Sequence, residues 1–153
     1  MKFFLGIDYG SSKVGLALGD SETKIATPFK VIKPQELFLE IERLIERGEG
    51  LDAAVIGLPL GLNGQETEQT KEVKNFAQEL AEKISIPLVF EDERLSTVAA
   101  HKAGLPRRSH RLDRVETPAS RLGGRVKAGK DDAVAAMYIL QTYLDRHYGF
   151  HHS

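Results

Sequence analysis

The chain has 153 residues, of which 41% are hydrophobic and 28% charged, with a net charge of −1 and no cysteine. That length and composition allow one hydrophobic core, and the lack of cysteine excludes disulfides and thiolate metal sites. No apolar run nears the roughly 20 residues of a membrane span, and MKFFLGID turns acidic too soon for a secretory signal, so a cytoplasmic protein with no membrane partner is expected.

Phe3 to Ile7 is a short apolar run, as in a strand buried on both faces. Tyr9-Gly10-Ser11-Ser12 supplies turn chemistry, and Val14 to Leu18 reads as a second strand. Ile25 to Ile32 is a third, and Pro28 suits it to an edge. Leu37, Phe38, Ile41, Leu44 and Ile45 recur at helical spacing, with Pro34 near the start and Gly48 and Gly50 at the end. Ala53 to Ile56 is a fourth strand, followed by the loop GLPLGLNG. A helix from about Glu66 to Ile84 carries Val73, Phe76, Ala77, Leu80 and Ala81 on one face, capped by Asn63 with Glu66 or by Thr67. Pro87 to Glu91 is a fifth strand, Ser96 to Ala103 a short helix, and about Asp131 to Asp145 a last helix.

The segment from Lys102 to Lys130 holds nine Lys and Arg against two acids, so a basic loop or arm at about 105–130 sits on an acidic body. Such asymmetry suits a polyanion, although a solvated loop has the same composition.

The order β-β-β-α-β-α-β-α predicts a mixed five-stranded sheet with helices on both faces and the first strand central. Ligand sites in such sheets gather at the carboxyl ends of the parallel strands. Asp8 ends the first strand and Asp92-Glu93-Arg94 the fifth. Either alone is also what a turn residue or a surface ion pair looks like. Asp132 heads a stripe of Ala135, Ala136, Ile139, Leu140 and Tyr143 at helical spacing, which turns an acid toward the core. Three converging carboxylates repel one another, so either their pKa values rise or a cation neutralises them, and an all-oxygen set suits Mg²⁺ or Mn²⁺. Two such ions about 4 Å apart can activate a water and stabilise the leaving oxygen of a phosphodiester.

GIDYGSSKVGLALGD, VIGLPLGLNGQETEQTKEVKNFAQEL, FEDERLSTVAA and GKDDAVAAMYILQTYLD, in that order, resemble the YqgF/RuvX family over nearly the whole chain. These are Holliday-junction-resolvase-like proteins also described as pre-16S rRNA nucleases. The resemblance implies a ribonuclease H-like domain over residues 1–153 with strand order 3-2-1-4-5. It also implies catalytic, metal-holding acids at Asp8, Glu93 and Asp132, with Asp92 and Asp131 the neighbouring alternatives. Relatives have a shorter loop after Glu93, so the basic stretch carries an insertion. Lys13, Arg94, Arg107, Arg108 and Arg111 are candidate phosphate contacts, Arg94 equally a residue that orients a neighbouring acid.

The expected function is a metal-dependent, two-metal-ion endonuclease on structured nucleic acid, with processing of the 5′ end of precursor 16S rRNA first and Holliday-junction cleavage as the alternative. A nucleotide-binding, ATPase-like module and a non-catalytic RNA-binding ribosome-assembly factor are the competing classes. The oligomeric state, monomer or homodimer, is open.

Overall fold

The structure, a computed structural model, describes residues 1–47, 50–95 and 130–149. Five strands form one sheet: β1 (Phe3–Tyr9), β2 (Val14–Asp20), β3 (Ala26–Ile32), β4 (Ala53–Leu58) and β5 (Leu88–Asp92). Their spatial order is β3-β2-β1-β4-β5, the order expected from the sequence. β1 pairs antiparallel with β2 and parallel with β4, and β4 pairs parallel with β5. Pro28 lies on the edge strand β3, where its missing N–H costs no ladder bond, and the β2–β3 register shifts beside its partner Ala17.

On one face lie α1 (Leu37–Glu46), entered through a short 3₁₀ turn at Pro34–Glu36, and α2 (Glu68–Lys83). They bury Leu37, Ile41, Leu44, Val73, Ala77 and Leu80 against Leu5, Ile7, Leu16 and Ile56. Ala81, expected on the buried stripe of α2, is exposed instead, one position past Leu80. Glu40 is buried on the inner side of α1, and Lys30 of β3 answers its charge at 2.7 Å.

The other face carries α3 (Lys130–Tyr148), which begins and ends slightly beyond the expected bounds. Its Ala135, Ala136, Ile139, Leu140 and Leu144 pack on Phe4, Ala17, Ala53 and Val55. Tyr143 and Tyr148 pack on the Phe4 ring, with centroids 5.4 and 5.8 Å away. The helix expected at Ser96 to Ala103 and the basic stretch, with Arg107, Arg108 and Arg111, lie outside the described residues.

Candidate active site

Successive residues of a strand point to opposite faces. Phe4 and Gly6 face α3, so Asp8 does too, at the carboxyl end of β1. In the same way Val89 and Glu91 of β5 face α3, and Glu93 follows them as the first residue of a 3₁₀ turn. Both acids are buried, Asp8 to 5% exposure and Glu93 to 6%.

Two glycines make this arrangement possible. Gly15 is the cross-strand partner of Asp8, and a Cβ there would stand 1.9 Å from the backbone oxygen of Asp132. The first turn of α3 therefore rests on bare backbone beside Asp8. Gly57 of β4 follows Ile56, the partner of Ile7, and lies level with Asp8. A Cβ on Gly57 would stand 2.7 Å from Oε1 of Glu93 and 2.4 Å from Cδ1 of Ile139. Its absence leaves the Glu93 carboxylate a place over the middle of the sheet. Asp8 of β1, the Glu93 side chain over β4 and the Asp132 backbone over β2 thus occupy one face at one end of the sheet.

Asp132 is half-buried at the third residue of α3. The side chain of its neighbour Asp131 lies outside the described residues. Among the described residues, no three Asp, Glu or His side chains are drawn together closely enough to hold an ion. The donors nonetheless fit a hard divalent ion, being oxygen-only and including two buried carboxylates.

Asp92 separates cleanly from Glu93. It belongs to the opposite side of β5, in step with Leu88, which packs under α2. Its carboxylate accepts hydrogen bonds from Nε and Nη2 of Arg94 at 3.1 and 2.7 Å. Those bonds hold its pKa below the ordinary 3.8, against the opposing effect of burial. Arg94 is thereby engaged with an acid, and Nη1 reaches on to the carbonyl oxygen of Leu62 at 3.3 Å. Lys13 is exposed in the β1–β2 turn, whose Lys13 carbonyl accepts a bond from Gly10 N–H.

The β4–α2 loop is more ordered than its glycines suggest. Leu60 pairs with Glu66, Gly61 N–H donates to the Gln65 carbonyl at 2.9 Å, and Gly64 N–H donates to the Gly61 carbonyl at 2.8 Å. Thr67, not Asn63, caps α2: its Oγ1 accepts from Thr70 N–H, and its N–H donates to Thr70 Oγ1. Thr70 Oγ1 donates in turn to the Pro59 carbonyl, fixing the loop to the helix.

A hollow of about 500 Å³, lined among others by Phe3, Leu18, Ile25 and Phe29, opens at the other end of β1. Asp20 lines it, but Asp8, Glu93 and Asp132 do not. Glu91 was not anticipated from the sequence: it is buried, and its Oε1 accepts a hydrogen bond from Arg146 at 2.6 Å, tying β5 to α3.

A mixed sheet in the order 3-2-1-4-5, with buried acids after β1 and β5 on the face that α3 covers, defines a ribonuclease H-like fold. Solved structures share this fold. RuvC of Thermus thermophilus aligns over 96% of both chains with a TM-score of 0.54 and 15% identity. The fowlpox virus Holliday junction resolvase aligns over 94% of this chain and 98% of its own, with a TM-score of 0.55 and 9% identity. The family model RuvX, described as Holliday junction resolvase, matches residues 2–146, and the chain belongs to that family. A relative from Methylocella silvestris, named "Putative pre-16S rRNA nuclease", is 38% identical over 144 residues, covering 93% of this chain and 81% of the relative. One of the same name from Ruegeria sp. is 34% identical over 148 residues, covering 95% and 86%.

Proposed function

We propose that the protein is an endonuclease that trims precursor 16S rRNA in the cytoplasm, with Asp8, Glu93 and Asp132 as its metal-holding acids. The observation that carries this reading is the burial of Asp8 and Glu93 on one face, at one end of the sheet, in a member of the RuvX family. Glu40 and Glu91 are buried too, paired with Lys30 and Arg146; what sets Asp8 and Glu93 apart is their place at the carboxyl ends of parallel strands, where ligand sites gather.

The three acids would hold Mg²⁺ or Mn²⁺; a pair of such ions, when bound, supplies activation of water and neutralisation of charge on the scissile phosphate. The chain's own contribution is positional. The ladders on both sides of β1 fix Asp8, the place left by Gly57 admits Glu93, and the contact at Gly15 sets the depth of α3 and hence of Asp132. Lys13 offers a cation for a flanking phosphate. Arg94 serves the site indirectly, through Asp92 and the β4–α2 loop. The basic stretch containing Arg107, Arg108 and Arg111 would add salt-sensitive affinity for the nucleic-acid backbone.

The test offers wild type and Asp8→Asn a precursor rRNA fragment, a four-way DNA junction and plain duplex, each with Mn²⁺ or EDTA. The expected result is Mn²⁺-dependent cutting of the rRNA fragment, lost in the variant. Cutting of the DNA junction alone would assign the site to branched DNA, as the family description reads. ATP hydrolysis without cutting, or RNA binding indifferent to metal and variant, would overturn the nuclease reading.

A further inference from the structure

The strand registers draw one row across the carboxyl end of the sheet. Ile7 of β1 pairs with Ile56 of β4, and Ile56 with Phe90 of β5. One residue on, Asp8, Gly57 and Glu91 lie level with one another, and strand alternation turns all three toward α3. Gly57, in the middle, has no side chain, and Oε1 of Glu93 stands 2.7 Å from where its Cβ would be. The Glu91 backbone is a single strand spacing, about 4.8 Å, from Gly57. A site that holds ions with Asp8, Glu93 and Asp132 therefore has a further acid, Glu91, at its flank.

Glu91 is 3% exposed, and Nη1 of Arg146, in the last turn of α3, donates to its Oε1 at 2.6 Å. The Arg146 side chain is half in solvent, so the cation reaches in from outside over a buried acid. A tie between β5 and α3 does not require a charge: Val89, two residues earlier on the same face, packs on the α3 cluster as a hydrocarbon. Removing one partner of a buried pair leaves the other an uncompensated charge. For Glu91 without Arg146, ions held one strand away are the other source of positive charge.

We propose that Arg146 is a positioning residue of the metal site: it holds Glu91 aside, so that ions sit among Asp8, Glu93 and Asp132 and are not drawn toward β5. This rests on the nuclease reading, which gives those three acids to ions.

The test compares wild type, Arg146→Gln, Glu91→Gln, the double variant and Arg146→Lys. It reads Mn²⁺ uptake by electron paramagnetic resonance, urea unfolding in EDTA and in Mn²⁺, and cutting of the rRNA fragment at saturating Mn²⁺. Arg146→Gln should take up Mn²⁺ about tenfold more tightly than wild type and yet cut about tenfold more slowly, because Glu91 now competes for the ions. It should unfold at lower urea in EDTA, and Mn²⁺ should raise its midpoint more than that of wild type. Glu91→Gln breaks the same ion pair but leaves no acid to compete, so it should match wild type in uptake and cutting. The double variant should match wild type as well, which makes the second substitution a rescue of the first. Arg146→Lys keeps the cation and should match too.

Equal uptake and cutting by wild type and Arg146→Gln would overturn the proposal. So would one defect shared by Arg146→Gln, Glu91→Gln and the double variant, because the pair is then only a tie between β5 and α3. Both results leave the nuclease reading standing. No Mn²⁺ uptake by wild type would overturn that reading and this proposal together.

Discussion

The two faces of the sheet are built on different terms. The face under α1 and α2 is thick: Leu5, Ile7, Leu16 and Ile56 meet Leu37, Ile41, Val73 and Leu80. The face under α3 is thin: Gly6 lies against Ala136 and Leu140, Gly15 against Asp132 and Ala133, Gly19 against Leu140 and Leu144, and Gly57 against Ile139, and several of these contacts leave no room for a further carbon. Large aliphatic side chains bury the most apolar area per residue, so the thick face supplies most of the stabilisation. The thin face forgoes that area and lets a helix descend onto backbone, which brings the Asp132 backbone down onto Gly15, the partner of Asp8. Stability and chemistry are divided between the two sides of one sheet.

Substitutions that exchange the terms should break this division. The largest effect belongs to Gly15→Ala. The new Cβ meets backbone oxygen at 1.9 Å, so α3 must lift. We expect a loss of several kcal/mol, about 3 or more by analogy with overpacked cores, and loss of cutting, read by urea unfolding and by the rRNA assay. Leu5→Ala on the thick face should cost a similar 2–5 kcal/mol. The protein that remains folded should cut at the wild-type rate, which separates the two faces directly.

Gly57→Ala sharpens the comparison. Its Cβ meets only side-chain ends, the Glu93 carboxylate and Ile139 Cδ1, which can shift. Stability should fall by about 1 kcal/mol or less, while cutting falls at least tenfold because Glu93 is displaced. Thr67→Ala removes the cap of α2, on the thick side, and should cost about 1 kcal/mol. Unchanged cutting at saturating substrate would confirm that the cap serves the fold.

The smallest effect is that of Asp92. Its folded pKa lies below the ordinary 3.8, held there by Arg94. A depressed carboxyl stabilises the fold at pH values above its unfolded pKa, and that contribution is lost as pH falls through the folded value. The stability difference between wild type and Asp92→Asn should therefore be constant at neutral pH and shrink below about pH 4. Because the pair is partly exposed, the difference should also weaken in high salt.

Much of this was legible in the chain. Element order put the first strand centrally in a mixed five-stranded sheet, because adjacent short strands tend to meander and strands separated by helices to cross over in parallel, and the family resemblance implied the full order that the structure has. Asp8 was legible as a charge ending an apolar run, and the α3 stripe as a helical period with an acid at its head. The faces taken by Asp92 and Glu93 were not: the preference for Glu93 comes from the family resemblance, and only strand alternation puts Asp92, the last residue of β5, on the α2 side and Glu93 on the α3 side. Nor was the cap: Asn63 and Thr67 both have capping chemistry, and the Leu60–Glu66 bridge, a tertiary feature of the loop, decides for Thr67. The glycines at 15 and 57 stood in plain view within strands, but what a missing Cβ makes room for comes from another element.

The central claim is that Asp8, Glu93 and Asp132 share divalent ions, and Mn²⁺ titration followed by electron paramagnetic resonance tests it most directly. Wild type should remove Mn²⁺ from solution saturably, and Asp8→Asn, Glu93→Gln and Asp132→Asn should each weaken that uptake at least tenfold, whereas Asp92→Asn should leave it unchanged. Equal uptake by wild type and the three variants, or none by wild type, would contradict the account.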